Sequence, residues 1–206
     1  MTDPHRITTV AGLRAIIGDA SPATQVKIGQ ALDEDMRAYI ARAPFLVLST
    51  SDPEGNQDVS PKGDQPGFVA VPDEQTLLIP DRKGNRLIFS LQNILAQPRV
   101  SVLFMIPGVN ETLRVTGRAE LTADPALCEQ LSARGQAALL AIRVTVEECY
   151  FHCAKAFLRA SLWKPETWPE PVKVSFGRMW TRKVGGDAEV AEQIDAMIAE
   201  GYRTEL

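Results

Sequence analysis

Histidine, cysteine and long hydrophobic runs are scarce in this sequence, and each scarcity excludes a class of protein. The chain has 206 residues with two histidines, and neither stands near a carboxylate or nucleophile in the arrangement of a catalytic triad or dyad. The three cysteines are Cys128, Cys149 and Cys153, an odd number without framework spacing, which predicts free thiols. The longest hydrophobic runs, such as Val100 to Ile106, are far shorter than the roughly 20 residues of a membrane span.

A strong excess of one charge is also missing. Lys and Arg total 22 and Asp and Glu total 26, a net charge of -4, which disfavours nucleic acids and anionic membranes as partners. The N-terminal segment lacks the charged start, apolar core and cleavage site of a secretory signal, so we expect a cytoplasmic protein. The sequence contains neither a GxGxxG motif after a strand nor a Walker-type phosphate loop, which excludes the standard nucleotide-binding folds.

A metal site is not predicted, although Cys149, His152 and Cys153 lie close together in the sequence. The spacing lacks a second pair of ligands, and alternation along a strand would point His152 away from both cysteines. We expect His152 to be a packed strand residue rather than an axial haem ligand.

What the sequence does contain is a series of short apolar or alternating runs, separated by turn residues, between two helical ends. Residues 45–163 hold six or so such runs, which favours a small antiparallel barrel over a parallel sheet. Residues 1–44 are predicted to form a helical extension packed on the barrel, and residues 164–206 a Pro-rich segment followed by a C-terminal amphipathic helix. The predicted fold class is therefore a β-barrel with helical decoration, forming one structural domain.

Two helices within this plan are predicted from their first and last residues. Ser21-Pro22 has the form of a helix start, and an apolar stripe continues from there until Pro44 ends it. Apolar residues at helical spacing predict a second helix from Leu87 until Gln97-Pro98 stops it.

The densest chemical signal is Asp81-Arg82-Lys83-Gly84-Asn85-Arg86, directly after a predicted strand that ends at Pro80. Gly84 would let backbone N–H groups approach an anion, the following helix would add its positive end, and arginine can bind phosphate oxygens with two donors. The segment is a candidate phosphate site; a solvated basic turn would have the same composition.

Two further segments carry cations. Lys62, in Ser60-Pro61-Lys62-Gly63-Asp64, could supply a point charge to a phosphate or to a ligand ring. Pro61 predicts an edge strand or a bulge because it cannot donate to the sheet. A plain turn is the alternative. Lys155 and Arg159 share one face of a predicted short helix, where a solvated face is the ordinary explanation.

Taken together, these segments resemble the pyridoxamine 5'-phosphate oxidase-related, FMN-binding split-barrel proteins. The resemblance runs in order from Phe45 to Trp163 through FLVLSTSDPEGNQDVSPKGDQPGFV, TLLIPDRKGNR, NILAQPRVSVLFMIPG, ETLRVTGRAEL and YFHCAKAFLRASLW. It implies a six-stranded antiparallel split barrel, a homodimer, and one FMN in each of two clefts at the subunit interface.

The resemblance also assigns residues. Arg82-Lys83-Gly84 resembles the family's phosphate grip, Ser60-Pro61-Lys62 falls on the strand along the flavin ring, and Thr112 stands where the oxidases place a glutamine that reaches the flavin from the partner subunit. The HCxKAxxRxxLW pattern is expected to close the cleft. The predicted cofactor-binding residues are Ser60, Pro61, Lys62, Pro80, Asp81, Arg82, Lys83, Asn85, Arg86, Thr112, Lys155, Arg159 and Trp163.

The departures from the family concern the substrate. The true pyridoxamine phosphate oxidases hold their substrate with a Tyr, Arg and Ser set and an Arg-Leu-His segment, and neither is found around Leu127 to Gln136 or in Trp168 to Lys183. The sequence is therefore identified as a member of the uncharacterised branch, and vitamin B6 oxidation is not expected.

The function expected from the resemblance is that of an FMN-dependent oxidoreductase. It would move a hydride from a reduced nicotinamide or small organic donor to a small acceptor, quinone-like or nitroaromatic, and no catalytic side chain is assigned because the flavin carries the redox chemistry. Two alternatives stay open: a non-catalytic flavin- or haem-binding protein, and a deazaflavin-dependent reductase whose longer anionic tail would also suit Arg82, Lys83 and Arg86.

Overall fold

The computed structural model describes residue 3 and residues 5–204, without the side chain of residue 23. The predicted helical extension and C-terminal segment therefore reach outside the described residues at positions 1, 2, 4, 205 and 206.

A seven-stranded antiparallel sheet forms the body of the molecule, and its spatial order is β2-β1-β5-β6-β7-β4-β3. The strands are β1 (Phe45–Ser51), β2 (Gln57–Gly63), β3 (Ala70–Asp73), β4 (Thr76–Asp81), β5 (Arg99–Met105), β6 (Thr112–Thr122) and β7 (Leu140–His152). This antiparallel sheet with helices confirms the predicted fold class. The number of strands differs, because the four-residue β3 pairs with β4 as a seventh strand and the sheet stays open between β2 and β3.

Alternating side chains bury one face of the strands. In β6, Leu113 and Val115 are fully buried, while Arg114 and Thr116, the residues that follow them, lie on the other face. Leu46 and Leu48 of β1 are buried in the same way, as expected for strands with one face on a core. The predicted edge position of Pro61 is confirmed, since β2 pairs only with β1, and the ladder between them has no bulge.

Eight α-helices lie before, between and after these strands in the described part of the chain. They are α1 (Val10–Ile17), α2 (Pro22–Val26), α3 (Glu34–Ile40), α4 (Phe89–Ala96), α5 (Pro125–Gln130), α6 (Lys155–Ala160), α7 (Phe176–Val184) and α8 (Ala188–Thr204), with a 3-10 turn at Pro165–Thr167. No helix in the described part of the chain is long and apolar enough to cross a membrane.

The predicted helix from Ser21 to Pro44 is wrong, because two short helices occupy that stretch. α2 ends at Val26, and α3 begins anew after Asp33, whose carboxylate accepts a hydrogen bond from the Met36 amide at 2.8 Å. Such an N-cap satisfies an otherwise unpaired amide of the first turn. α3 buries Met36 and Ile40 in the core. The predicted apolar stripe is therefore present, but the helix that carries it is shorter than predicted.

Two more helix boundaries differ from the expectation. α4 begins at Phe89 rather than at Leu87, because Ile88 has a left-handed φ of 48° and cannot continue a right-handed helix. α7 lies in the segment expected to be irregular. It packs mainly on α8, where Gly177 crosses so close to Ala191 that no side chain fits between the backbones.

Candidate functional site

One cavity of about 800 Å³ lies between β2, the end of β4 and the loop that leads into α4. Small-molecule sites commonly have this size, roughly 300–1,000 Å³. Nine of the predicted cofactor-binding residues line it: Ser60, Pro61, Lys62, Pro80, Asp81, Arg82, Lys83, Asn85 and Arg86. The structure thus brings together two segments that the sequence offered as separate candidates.

Lys62 crosses the split of the open sheet. It pairs with Leu46 in the β1–β2 ladder, so its side chain lies on the inner face. The Lys62 Nζ donates to Asp81 Oδ1 of β4 at 2.5 Å, and the two side chains are only 16% and 15% exposed. Because β2 is one edge of the sheet and β4 lies beside the other, this ion pair joins the two ends of the sheet at the cavity.

Asp64, one residue after β2, forms a second link across the split. Its carboxylate is 1% exposed and accepts from Arg82 Nε at 3.0 Å and from Arg134 Nη1 at 2.9 Å. The Gln65 amide donates to the same carboxylate at 2.8 Å. Burial alone would raise the pKa of Asp64, but the Gln65 amide and the two guanidinium groups outweigh it and hold that pKa below its usual value.

Arg82 keeps unused hydrogen-bonding capacity beside the cavity. Its Nε is bonded to Asp64, while its Nη1 is buried and has no hydrogen-bond partner among the described residues. A buried donor without a partner is costly, and an anion, a water molecule or a ligand atom that accepts from it removes that cost. This atom is the clearest sign that the residues present fit an anion.

The loop between β4 and α4 has the backbone of a binding loop. Arg86 and Ile88 both have left-handed φ angles, 60° and 48°, a conformation that non-glycine residues adopt only when their surroundings enforce it. Asn85 Oδ1 accepts from the Leu87 amide at 3.0 Å and braces the turn. α4 starts at the cavity without a side-chain cap, so its positive end faces the same space.

The rest of the cavity wall is apolar and open. Five hydrophobic side chains that line it are each more than half exposed: Val59, Leu87, Ile88, Phe89 and Leu139. The cavity therefore joins a cationic end, near Arg82, to an apolar rim. Such a combination suits a ligand with an anionic group and a flat hydrophobic ring.

Four predicted residues lie elsewhere in the chain. Thr112 is buried at the start of β6 and pairs with His152 at the end of β7. Lys155 and Arg159 are exposed on α6, and the Trp163 Nε1 donates to the Val109 carbonyl at 2.8 Å. These four residues share one end of the β6–β7 pair, and none of them lines the cavity within the same chain.

Sequence reasoning assigned no role to Asp64, the last residue of the candidate segment that holds Lys62, and it missed Arg134 altogether. Asp64 lies two residues after Lys62, so strand parity could have placed it beside the site. Arg134 follows α5, 70 residues away from Asp64, and no local pattern connects them.

Cys149 and His152 face different surroundings. The Cys149 Sγ is buried and donates to the Ala31 carbonyl at 3.1 Å, and burial raises the pKa of this thiol. The His152 ring packs on Tyr150 with 4.8 Å between centroids. All three cysteines are free, and within residues 3 and 5–204 no three His, Cys, Asp or Glu side chains are grouped to hold a metal.

Comparison with known proteins gives one extended match. The family described as pyridoxamine 5'-phosphate oxidase matches residues 32–153, more than half of the chain and all of the cavity's β2 and β4 segments. No curated protein matches the chain.

The solved structures that match part of the chain share little sequence with it. HupZ of Group A Streptococcus is 16% identical over 58% of this chain and 93% of its own, with a TM-score of 0.48. General stress protein 26 of Bacillus anthracis is 16% identical over 55% and 88%, with a TM-score of 0.43. An FMN-binding protein of Syntrophomonas wolfei is 9% identical over 57% and 83%, with a TM-score of 0.46.

Proposed function

Because the chain belongs to the pyridoxamine 5'-phosphate oxidase family, we propose that it binds FMN and acts as an FMN-dependent oxidoreductase. One observation carries the proposal. Nine residues from β2, from the end of β4 and from the β4–α4 loop, chosen from the sequence as flavin contacts, line a single cavity with a cationic end and an apolar rim.

The cationic end fits a phosphate monoester. Four cations, Lys62, Arg82, Lys83 and Arg86, line the cavity against two carboxylates, Asp58 and Asp81. The unpartnered Nη1 of Arg82 and the uncapped start of α4 add donors to this charge. Arg82, Lys83 and Arg86 would hold the phosphate, because charge-assisted hydrogen bonds to an anion are the strong ones.

A bound FMN would supply the hydride and electron chemistry. The chain's own part is to bind, orient and shield. Lys62 is held at the cavity wall by Asp81, so its ammonium group is fixed in place and would stabilise negative charge on a ring bound beside it. The rim that includes Leu87, Phe89 and Leu139 offers exposed apolar surface that a bound flavin ring would cover.

The same rim supports the proposed substrate class. An apolar wall of exposed aliphatic and aromatic side chains favours a small, flat acceptor such as a quinone or nitroaromatic compound. The donor would be a reduced nicotinamide or a small organic molecule. The set of residues that holds the substrate phosphate in pyridoxamine phosphate oxidases has no counterpart in this sequence, so vitamin B6 oxidation is not part of the proposal.

A homodimer is part of the proposal, with FMN at the subunit interface. Thr112, Lys155, Arg159 and Trp163 lie outside the cavity of their own chain, and Lys155 and Arg159 are exposed on α6. In the proposed two-fold dimer this end of β6 and β7 lies against the cavity of the other copy, so that each site draws on both chains.

The test is an absorption spectrum of the purified protein, then identification of any released chromophore and titration of the apoprotein with FMN. We expect a flavin spectrum and one FMN per chain. A Soret band, or tighter binding of a deazaflavin than of FMN, would replace the proposal by one of the two alternatives. A colourless protein that takes up no FMN would overturn it.

Arg82→Ala sharpens this test. The loss of a charge-assisted contact to phosphate costs about 1.5–3 kcal/mol, which weakens FMN binding roughly 10- to 150-fold. Arg143→Ala is the matched control, because Arg143 pairs with Glu120 on the surface and does not line the cavity. If wild type and Arg82→Ala bind FMN with equal affinity, the phosphate site lies elsewhere in the protein.

A further inference from the structure

We propose that Asp64 is the positioning residue of the phosphate end of the site: it holds the Arg82 guanidinium in the orientation that receives the anion and ties the Arg134 loop to the same point. This inference rests on the proposed function, because the anion is taken to be the phosphate of FMN.

The geometry separates positioning from contact. Asp64 does not line the cavity, whereas Arg82 does. The Asp64 Oδ2 accepts from Arg82 Nε at 3.0 Å, so one edge of the planar guanidinium is occupied from behind. The terminal nitrogens then remain for a ligand, and the plane of the group is fixed before the ligand arrives.

The other oxygen of Asp64 has its own partners. Oδ1 accepts from Arg134 Nη1 at 2.9 Å and from the Gln65 amide at 2.8 Å. Both oxygens are therefore used, and the carboxylate is 1% exposed. A buried carboxylate whose two oxygens both accept hydrogen bonds has little freedom to turn. The Arg82 guanidinium that it holds therefore also has little freedom to turn.

Two physical effects of Asp64 oppose each other, which makes the inference testable by its sign. Positioning of Arg82 strengthens phosphate binding, because a preorganised donor loses less entropy when the ligand binds. The negative charge of Asp64 weakens it, because it partly neutralises Arg82 and Arg134. Because the Asp64 carboxylate is buried and both of its oxygens accept hydrogen bonds, we expect the positioning of Arg82 to be the larger effect.

Riboflavin is the probe that isolates this role, since it carries the flavin ring without the phosphate. In wild type we expect FMN to bind more tightly than riboflavin. Asp64→Ala should weaken FMN roughly 10-fold or more and leave riboflavin binding unchanged. Asp64→Asn keeps one acceptor oxygen for Arg82 and should fall between wild type and Asp64→Ala.

A double-mutant cycle tests whether Asp64 acts through Arg82. If it does, Arg82→Ala combined with Asp64→Ala should bind FMN no more weakly than Arg82→Ala alone. Asp52→Ala is the matched control, because the Asp52 carboxylate is bonded to Asn56 in the β1–β2 turn and does not line the cavity. Unchanged riboflavin affinity also shows that each variant is folded.

Four results would overturn the inference, and they differ from a failure of the proposed function. They are tighter FMN binding by Asp64→Ala, equal losses for FMN and riboflavin in both Asp64 variants, additive losses in the double variant, and a wild type that binds riboflavin as well as FMN. In each case the protein still binds flavin. A wild type that binds neither flavin overturns the proposed function and, with it, the inference.

Discussion

Replacing Lys62 with Met should destabilise the protein, because it leaves the Asp81 carboxylate without its cation at the split of the sheet. The two side chains are 16% and 15% exposed, and the pair spans the gap between β2 and β4. Met is close to Lys in length and shape, so the substitution removes the charge while filling most of the space.

The expected magnitude lies between two limits. Breaking a fully buried ion pair costs about 3–5 kcal/mol, and breaking an exposed pair costs about 0–1 kcal/mol. With about five sixths of each side chain buried, the pair lies nearer the first limit, and we expect Lys62→Met to lower the free energy of unfolding by about 2–3 kcal/mol. Lys62→Met with Asp81→Leu removes both charges and should recover most of that loss, because an apolar pair of similar volume is often neutral.

Urea unfolding of the four proteins in this cycle measures the effect, with Arg99→Met as the control. Arg99 pairs with Glu147 at 3.0 Å, but its side chain is 65% exposed, so its loss should cost less than about 1 kcal/mol. Equal costs for Lys62→Met and Arg99→Met, or a double variant that loses the sum of its single losses, would refute the reasoning.

Two further changes test other parts of the fold. Gly177→Ala should force α7 away from α8, because an added Cβ would overlap the Ala191 carbonyl. We expect it to lower the free energy of unfolding by about 1–3 kcal/mol, measured as faster amide exchange in both helices. The control is Gly201→Ala, which has open space around it and should be neutral or stabilising. Burial lowers the pKa of His152, and Lys27 and Arg114 lower it further, so the unfolded chain takes up the proton first. The stability that His152 contributes is therefore present above pH 6.5 and lost as the pH falls below it. His152→Phe should flatten the dependence of the urea midpoint on pH between 7 and 5, and an unchanged slope would contradict this assignment.

Much of the sheet and one wall of the cavity were predictable, because both depend on patterns within a few residues. Apolar and polar residues alternate in the sequence of β6, and in the structure Leu113 and Val115 are buried while Arg114 is not fully so. Pro61 predicted an edge strand from its missing donor, and β2 is an edge. The basic loop after Pro80 was visible because turn residues and cations follow a strand directly.

Helix boundaries were less predictable, because one residue with an unfavourable backbone angle can end or delay a helix that the spacing of apolar residues would extend. Leu87 and Ile88 have helical spacing with Leu91, yet the left-handed φ of Ile88 delays α4 to Phe89. The prolines before Ser175 made this segment resemble an irregular one, so α7 was not predicted. Its packing against α8 depends on the contact between Gly177 and Ala191. Nothing near Gly177 in the sequence indicates that contact.

The sequence by itself determined the strand pattern, the edge strand and the basic loop, since side-chain alternation and turn chemistry act over neighbouring residues. Only the tertiary structure decided that Lys62 meets Asp81 and that Arg82 and Arg134 meet at Asp64. These contacts join residues 18 to 70 positions apart. They depend on how far the open sheet curls, and that curvature is set by the packing of the whole core around Phe104, Ile79 and Ile142 rather than by any local segment.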